Sequence, residues 1–265
     1  LKEGNVVVVA GFQGQTEKGE ITTLGRGGSD TTAVVLGGYL KADLVEIYTD
    51  VPGIAVTDPR IIPEAPFILQ ISYDEVIAMA DAGAKVVHPR AVRAAKEFGM
   101  ALRIKSTFDE GDGTLVGLEE SDLLISGITP QSGFAVAKFE REDEFSSDDI
   151  KKLLKLSCDG SIYLSDAVGN IILIEEEKKG MAANLAKELK SSAEFCHDMA
   201  KVSVIYKSTI NIKALTESIA NLLLKNDVQI FAAASSNNCS KYIIKDKDTS
   251  KAVSIIFNEY FSNKN

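Results

Sequence analysis

Leu24-Gly25-Arg26-Gly27-Gly28-Ser29-Asp30-Thr31-Thr32 follows a short β-prone run and opens a helix-prone one. At such a junction the free amides of the first helical turn converge where an anion would sit. Three glycines within four positions let a ligand approach the backbone without Cβ interference, and Arg26 offers a planar fork for a carboxylate or phosphate. The same residues also suit a tight strand-to-helix turn, so taken alone the stretch is either an anion loop or a turn.

Outward from it, Asn5 to about Gly117 alternates short apolar runs with helical periods, which implies βαβ units and a parallel sheet covered on both faces. The pattern predicts strands at Val6–Ala10, Leu44–Tyr48 and Ala101–Lys105, and helices at Thr31–Leu40, Tyr73–Ala82 and Pro89–Phe98. Ser72-Tyr73-Asp74-Glu75 has the spacing of a capping box, and Pro89 suits a first helical turn, where its missing N–H costs nothing. Val6–Val9 reads as a fully buried parallel strand. A chain seldom begins on an interior strand, and the first residue is Leu1, so the sequence is expected to be the rear part of something longer.

After about Leu118 a weak repeat of strand, helix, two strands and helix takes over. The clearer copy runs Lys201–Tyr206, Ile212–Lys225, Val228–Ala234, Lys241–Lys245 and Thr249–Phe261, the βαββα order of a ferredoxin-like unit. The fainter copy runs Gly133–Phe139, Ser147–Leu156, strands near Ser161–Leu164 and Ile171–Glu175, and Met181–Leu189. Its Glu175–Glu177 and Lys178–Lys179 runs read as a solvated turn.

With 45% hydrophobic and 25% charged residues in 265, the chain reads as an ordinary globular protein with room for more than one domain. A net charge of -9 argues against a dedicated nucleic-acid binder, so any anion site is local. Cys158, Cys196 and Cys239 lack metal-ligand spacing and are odd in number, which points to reduced structural thiols. No apolar run reaches a membrane span and no signal-like start is present, so a cytoplasmic location is expected.

Five ordered blocks resemble the aspartokinase family: Gly11-Phe12-Gln13-Gly14, Thr22 through Asp30, Tyr48-Thr49-Asp50-Val51-Pro52-Gly53, Thr57-Asp58-Pro59-Arg60, and Ala84-Lys85-Val86-Val87-His88-Pro89-Arg90. The resemblance is close over Gly11 to Leu115 and fades to architecture beyond Leu118. It implies an α/β fold: the C-terminal part of an amino-acid kinase (carbamate kinase-like) catalytic domain over 1–118, then two ACT domains over 119–192 and 193–265. The activity it implies is transfer of the γ-phosphoryl of MgATP to the side-chain carboxylate of L-aspartate, giving 4-phospho-L-aspartate, the entry to lysine, threonine and methionine synthesis. A carboxylate is already an ionised nucleophile at neutral pH, so no general base is required. What the reaction needs is alignment of two anions and neutralisation of charge on the moving phosphoryl.

By the same resemblance Arg26 grips the amino-acid carboxylate, with Gly27, Gly28 and Ser29 beside it. Asp30 organises the cationic groups and the substrate ammonium, its plainer role being a first-turn carboxylate on the helix dipole. Thr49, Asp50, Asp58, Arg60 and Lys85 contact ATP. The bland alternatives are a turn before Pro52-Gly53, an ion pair across Pro59, and a C-terminal helix charge at Lys85. His88 is expected to cap or pack the helix at Pro89, because transfer to a carboxylate has no proton to move. Ser235, Ser236, Asn237 and Asn238 form either an exposed turn or polar contacts to an effector amino acid, lysine or threonine. A homodimer through the ACT domains is expected.

The chain departs from the family pattern in three places. The N-terminal lysine-glycine-glycine phosphate loop and the early threonine and glutamate of the aspartate pocket are missing, so residues 1–265 alone are expected to show negligible turnover. Ala55 stands where many relatives carry a nucleotide-stacking tyrosine. Phe139–Ser147 and Tyr206–Ala214 lack the Pro-Gly turn that meets effectors. A non-catalytic ACT-type regulatory subunit and a kinase for glutamate or acetylglutamate are the competing readings; paired ACT-like units after Thr57-Asp58-Pro59-Arg60 favour aspartate over the latter.

Overall fold

The structure is a computed structural model; it describes residues 1–84, 87–158, 162–165, 169–236 and 238–262. The chain divides into two compact units, Leu1–Pro59 with Pro63–Gly127, and Arg60–Ile62 with Ile128–Asn265.

The first unit opens with a hairpin, β1 (Gln13–Gln15) against β2 (Ile21–Thr23), followed by α1 (Gly28–Leu40) and β3 (Leu44–Thr49). Then come β4 (Gln70–Ser72), α2 (Tyr73–Asp81), α3 (Pro89–Phe98), β5 (Ala101–Ser106) and β6 (Thr114–Gly117). The sheet order is β3-β5-β6-β4. β3 runs parallel to β5 and β4 to β6, but β5 and β6 are antiparallel, so the sheet is mixed where a parallel one was expected. The stretch between β5 and β6 is too short for a crossover helix, which leaves a return connection as the geometry available. In β5, Leu102, Ile104 and Ser106 are buried whereas Ala101, Arg103 and Lys105 are half-buried, so one face is covered more fully than the other. α1 packs on the covered face: a Cβ at Gly37 would lie 2.4 Å from Val45 Cγ2, and only glycine allows that approach.

The expected strand Val6–Ala10 does not form. Residues 5–10 carry no strand pairing, and Val6 and Val8 are 92% and 93% exposed. An apolar run becomes a buried strand only when neighbours satisfy its backbone groups, and no described strand lies beside it.

Helix starts follow the sequence closely. Ser72 caps α2 with a full capping box, and Glu75, fully buried, also accepts from Ser121 N (3.1 Å) and Ser121 Oγ (3.0 Å). This long-range tie fastens the start of α2 to the segment after β6.

The second unit holds one six-stranded sheet. Its elements are β7 (Ile125–Glu140, which begins in the first unit), α4 (Ser147–Leu156), β8 (Ile162–Ser165), β9 (Gly169–Glu175), α5 (Lys179–Glu188), β10 (Ser192–Tyr206), α6 (Ile212–Lys225), β11 (Ile230–Ser236), β12 (Cys239–Lys245) and α7 (Thr249–Phe257). The order β11-β12-β10-β7-β9-β8 places the two βαββα copies side by side, joined at the long central strands β7 and β10. The outer strands β11 and β8 approach each other, so the sheet curls. One face packs Phe139, Leu153, Ile172, Ile174 and Ala182. Another cluster gathers Phe134, Val136, Leu173, Met199 and Ile243, with Cys158 and Cys196 against it. The three cysteines are free thiols. The acidic-basic run after β9 is a 3₁₀ turn, Glu176–Lys178, laced by Lys178–Glu175 and Lys179–Glu176 pairs at 2.8 and 2.6 Å.

Candidate functional site

Two helices and two strands meet at one edge of the first unit's sheet. α1 leads into β3 through three residues, and α3 leads into β5 through two, so each helix runs back along its strand. The N-termini of α1 and α3 therefore lie at the C-terminal edge of β3 and β5, where open α/β sheets take ligands. Both helices point the positive ends of their dipoles at this edge.

The loop before α1 is held by its backbone. Gly25 has φ +76° and Gly27, the N-cap, has φ +73°. No side chain caps α1; Gly28 N is taken by Gly25 O and Thr31 N by Gly27 O, so the Ser29 and Asp30 amides are the ones left to a ligand or water. A Cβ at Gly27 would lie 2.1 Å from His88 Cγ, so this position requires glycine both for its left-handed backbone and for contact with the imidazole. Gly28 is buried, Arg26 and Ser29 are exposed, and Asp30 is half-buried in the first turn. Thr31 and Thr32 return their hydroxyls to Gly27 O (2.9 Å) and Gly28 O (2.8 Å), and Phe12 N donates to Thr32 Oγ1 at 3.2 Å. The loop is thus a shaped backbone cradle presenting one guanidinium.

At the end of β3, Thr49 Oγ1 donates to Asp50 Oδ1 (3.0 Å), and Thr107 N binds Thr49 O (2.9 Å). Asp58 is half-buried and Arg60 exposed. Lys85 and Asn237 fall outside the described residues. His88 caps α3, accepting from Arg90 N at 3.3 Å, as the sequence led us to expect. Sequence reasoning did not foresee Arg90 Nη1 donating to Leu24 O (3.3 Å), or the left-handed φ of +67° at Phe12, because neither has a local signature.

Among the described residues no three His, Cys, Asp or Glu side chains gather as a metal centre. A void lined by Ile54, Val76, Met79 and Val87, about 10 Å³, is too small for a substrate.

In the second unit Ser235 and Ser236 are exposed at the end of β11. Ser236 O accepts from Tyr206 Oη (3.1 Å), and Asn238 O accepts from Tyr206 N (3.0 Å). The turn is tied to the end of β10. Among the described residues no helix is long and apolar enough to cross a membrane.

The amino acid kinase family model matches residues 1–106. An aspartokinase of Bacillus sp. (strain MGA3) is 33% identical over 96% of this chain and 66% of its own length. Aspartokinase 2 of Bacillus subtilis (strain 168) is 35% identical, with the same coverage. The chain therefore spans just under two thirds of these relatives. Among solved structures, aspartate kinase from Clostridium acetobutylicum, described as an allosteric enzyme, superposes with a TM-score of 0.84 at 29% identity, covering 94% of this chain and 62% of the other. E. coli aspartokinase III in complex with aspartate and ADP gives 0.76 at 25% identity, covering 95% and 60%.

Proposed function

From the premise that this chain belongs to the aspartokinase family, we propose that it carries the aspartate-gripping and nucleotide-facing edge of an enzyme that phosphorylates the side chain of L-aspartate, giving 4-phospho-L-aspartate. The observation that carries the reading is the Leu24–Asp30 cradle, a side-chain-free helix start presenting Arg26 at the ligand-binding edge of the sheet. Arg26 takes the α-carboxylate as a bidentate fork, Ser29 and the first-turn amides add donors, and Asp30 pairs with the ammonium. The acceptor carboxylate needs no base. Thr49, Asp50, Asp58, Arg60 and Lys85 face MgATP, which enters as substrate with its metal. Positioning and charge neutralisation supply the acceleration.

Residues 1–118 then form the C-terminal part of the kinase domain, and 119–192 and 193–265 two ACT domains. That reading is supported by the two βαββα copies sharing one sheet. Ser235, Ser236, Asn237 and Asn238 line an effector position for lysine or threonine in the cytoplasm, in a homodimer assembled through the ACT units. E. coli aspartokinase III, a structural relative at TM-score 0.74, is described in complex with lysine and aspartate.

Calorimetric titration tests the proposal. L-aspartate is expected to bind, and Arg26→Ala to weaken it at least about tenfold, the loss of a charge-assisted bidentate contact. Equal affinity for succinate, which lacks the ammonium, or an unchanged Arg26→Ala variant, overturns it.

A further inference from the structure

The residues on either side of Arg26 are held by one short stretch that phosphoryl transfer leaves without a task. On one side, Arg90 Nη1 donates to Leu24 O at 3.3 Å. On the other, the His88 imidazole lies against Gly27 so closely that a Cβ there would meet Cγ at 2.1 Å and Cδ2 at 2.5 Å. The same imidazole accepts from Arg90 N through Nδ1, which fixes the ring and begins α3 in one step. Gly25 and Gly27 are both left-handed, a conformation that other residues rarely adopt. Its internal bonds are Gly28 N to Gly25 O (3.0 Å) and Thr31 N to Gly27 O (3.1 Å).

We propose that His88 and Arg90 are positioning residues: together they clamp Leu24–Gly27 in the conformation that presents Arg26 and the first-turn amides of α1 to a carboxylate ligand. That the ligand is L-aspartate rests on the phosphoryl-transfer reading above; the clamp itself rests on the contacts. A loop held at both ends binds without first being ordered, so the clamp contributes affinity for the ligand that Arg26 grips and nothing for a nucleotide held elsewhere on the edge.

The test combines amide hydrogen exchange with calorimetry on the full chain. Arg90→Ala is expected to speed exchange of the Gly28 and Thr31 amides about fivefold and to weaken L-aspartate by a similar factor, the scale of one lost hydrogen bond. ATP affinity stays unchanged. Arg90→Lys, which keeps one donor, recovers most of both losses. Arg93→Ala, on α3 like Arg90, breaks the 2.8 Å pair with Asp81 at the end of α2 and is expected to alter neither. Unchanged loop exchange in Arg90→Ala, or equal effects from Arg93→Ala, overturns the clamp. If the unaltered chain binds neither L-aspartate nor ATP, the phosphoryl-transfer reading falls, and loop exchange alone decides the clamp.

Discussion

The two βαββα copies of the second unit share a strand order and differ in what they bury. Ile172 is the fourth residue of β9 and Tyr242 the fourth of β12, and both are fully buried. The first copy surrounds Ile172 with Phe139, Leu153, Ile174 and Ala182. The second threads hydroxyls through the equivalent layer: Tyr242 Oη donates to Thr216 O (3.1 Å), and Ser240 Oγ meets Tyr206 Oη (3.0 Å) and Thr216 Oγ1 (2.6 Å). Burial pushes both phenols above their ordinary pKa, Tyr242 the further. The helix starts differ too. α4 is capped by Ser146 with Asp149 closing the box, whereas α6 is capped by Asn211 alone, with Ala214 in the place of Asp149. Both copies bury an apolar core; the first closes its helix start with a carboxylate, and the second adds a layer of neutral hydrogen bonds.

The sharpest way to break that contrast is truncation. Ile172→Ala is expected to cost about 2–5 kcal/mol in denaturant unfolding, transfer and cavity terms together. Next comes Arg141, which has no counterpart in the second copy. Its guanidinium bonds Leu189 O (3.0 Å) and Asp149 (2.9 Å) and stacks over Phe145 at 4.3 Å. Arg141→Leu removes both bonds and leaves Asp149 with its Ser146 partner alone, at about 2 kcal/mol. Tyr242→Phe removes one hydroxyl and keeps the ring, so the same unfolding measurement is expected to show about 1 kcal/mol. A loss equal to that of Ile172→Ala would erase the distinction between the copies.

The smallest effect is a pH dependence. The Ser146 amide, then its hydroxyl and Arg141, hold Asp149 below its ordinary 3.8, so its contribution is present above that value and is lost as pH falls through the lower folded pKa. Exchange at the start of α4 is expected to rise on acidification below about pH 4 while the start of α6 stays protected, with a cap worth about 1 kcal/mol setting the scale. Asp149→Asn should flatten the difference; an α6 that frays equally would show that the caps are not what separates the copies.

Much of this was legible in the sequence because the signals were local. Helices Ser147–Leu156 and Ile212–Lys225 fall where their caps and apolar spacing put them. The Ser72 capping box and the His88 cap are likewise short-range. What escaped was set by distant partners. Val6–Val9 has the composition of a strand and no described strand to pair with. β7 and β10 begin well before the expected Gly133–Phe139 and Lys201–Tyr206, since residues such as Ser126 are buried by their surroundings rather than by their own character. In the site, the glycines and Arg26 announced a cradle, but Arg90 reaching Leu24 O could not be inferred from either segment alone.

Because β7 and β10 lie next to each other at the centre of a single sheet, neither copy has a boundary at which it could come apart alone. The second unit should melt as one calorimetric transition, its van't Hoff and measured enthalpies agreeing. A small molecule seated in either copy then raises the melting temperature of both, so the pair reports occupancy as a unit whichever half is filled.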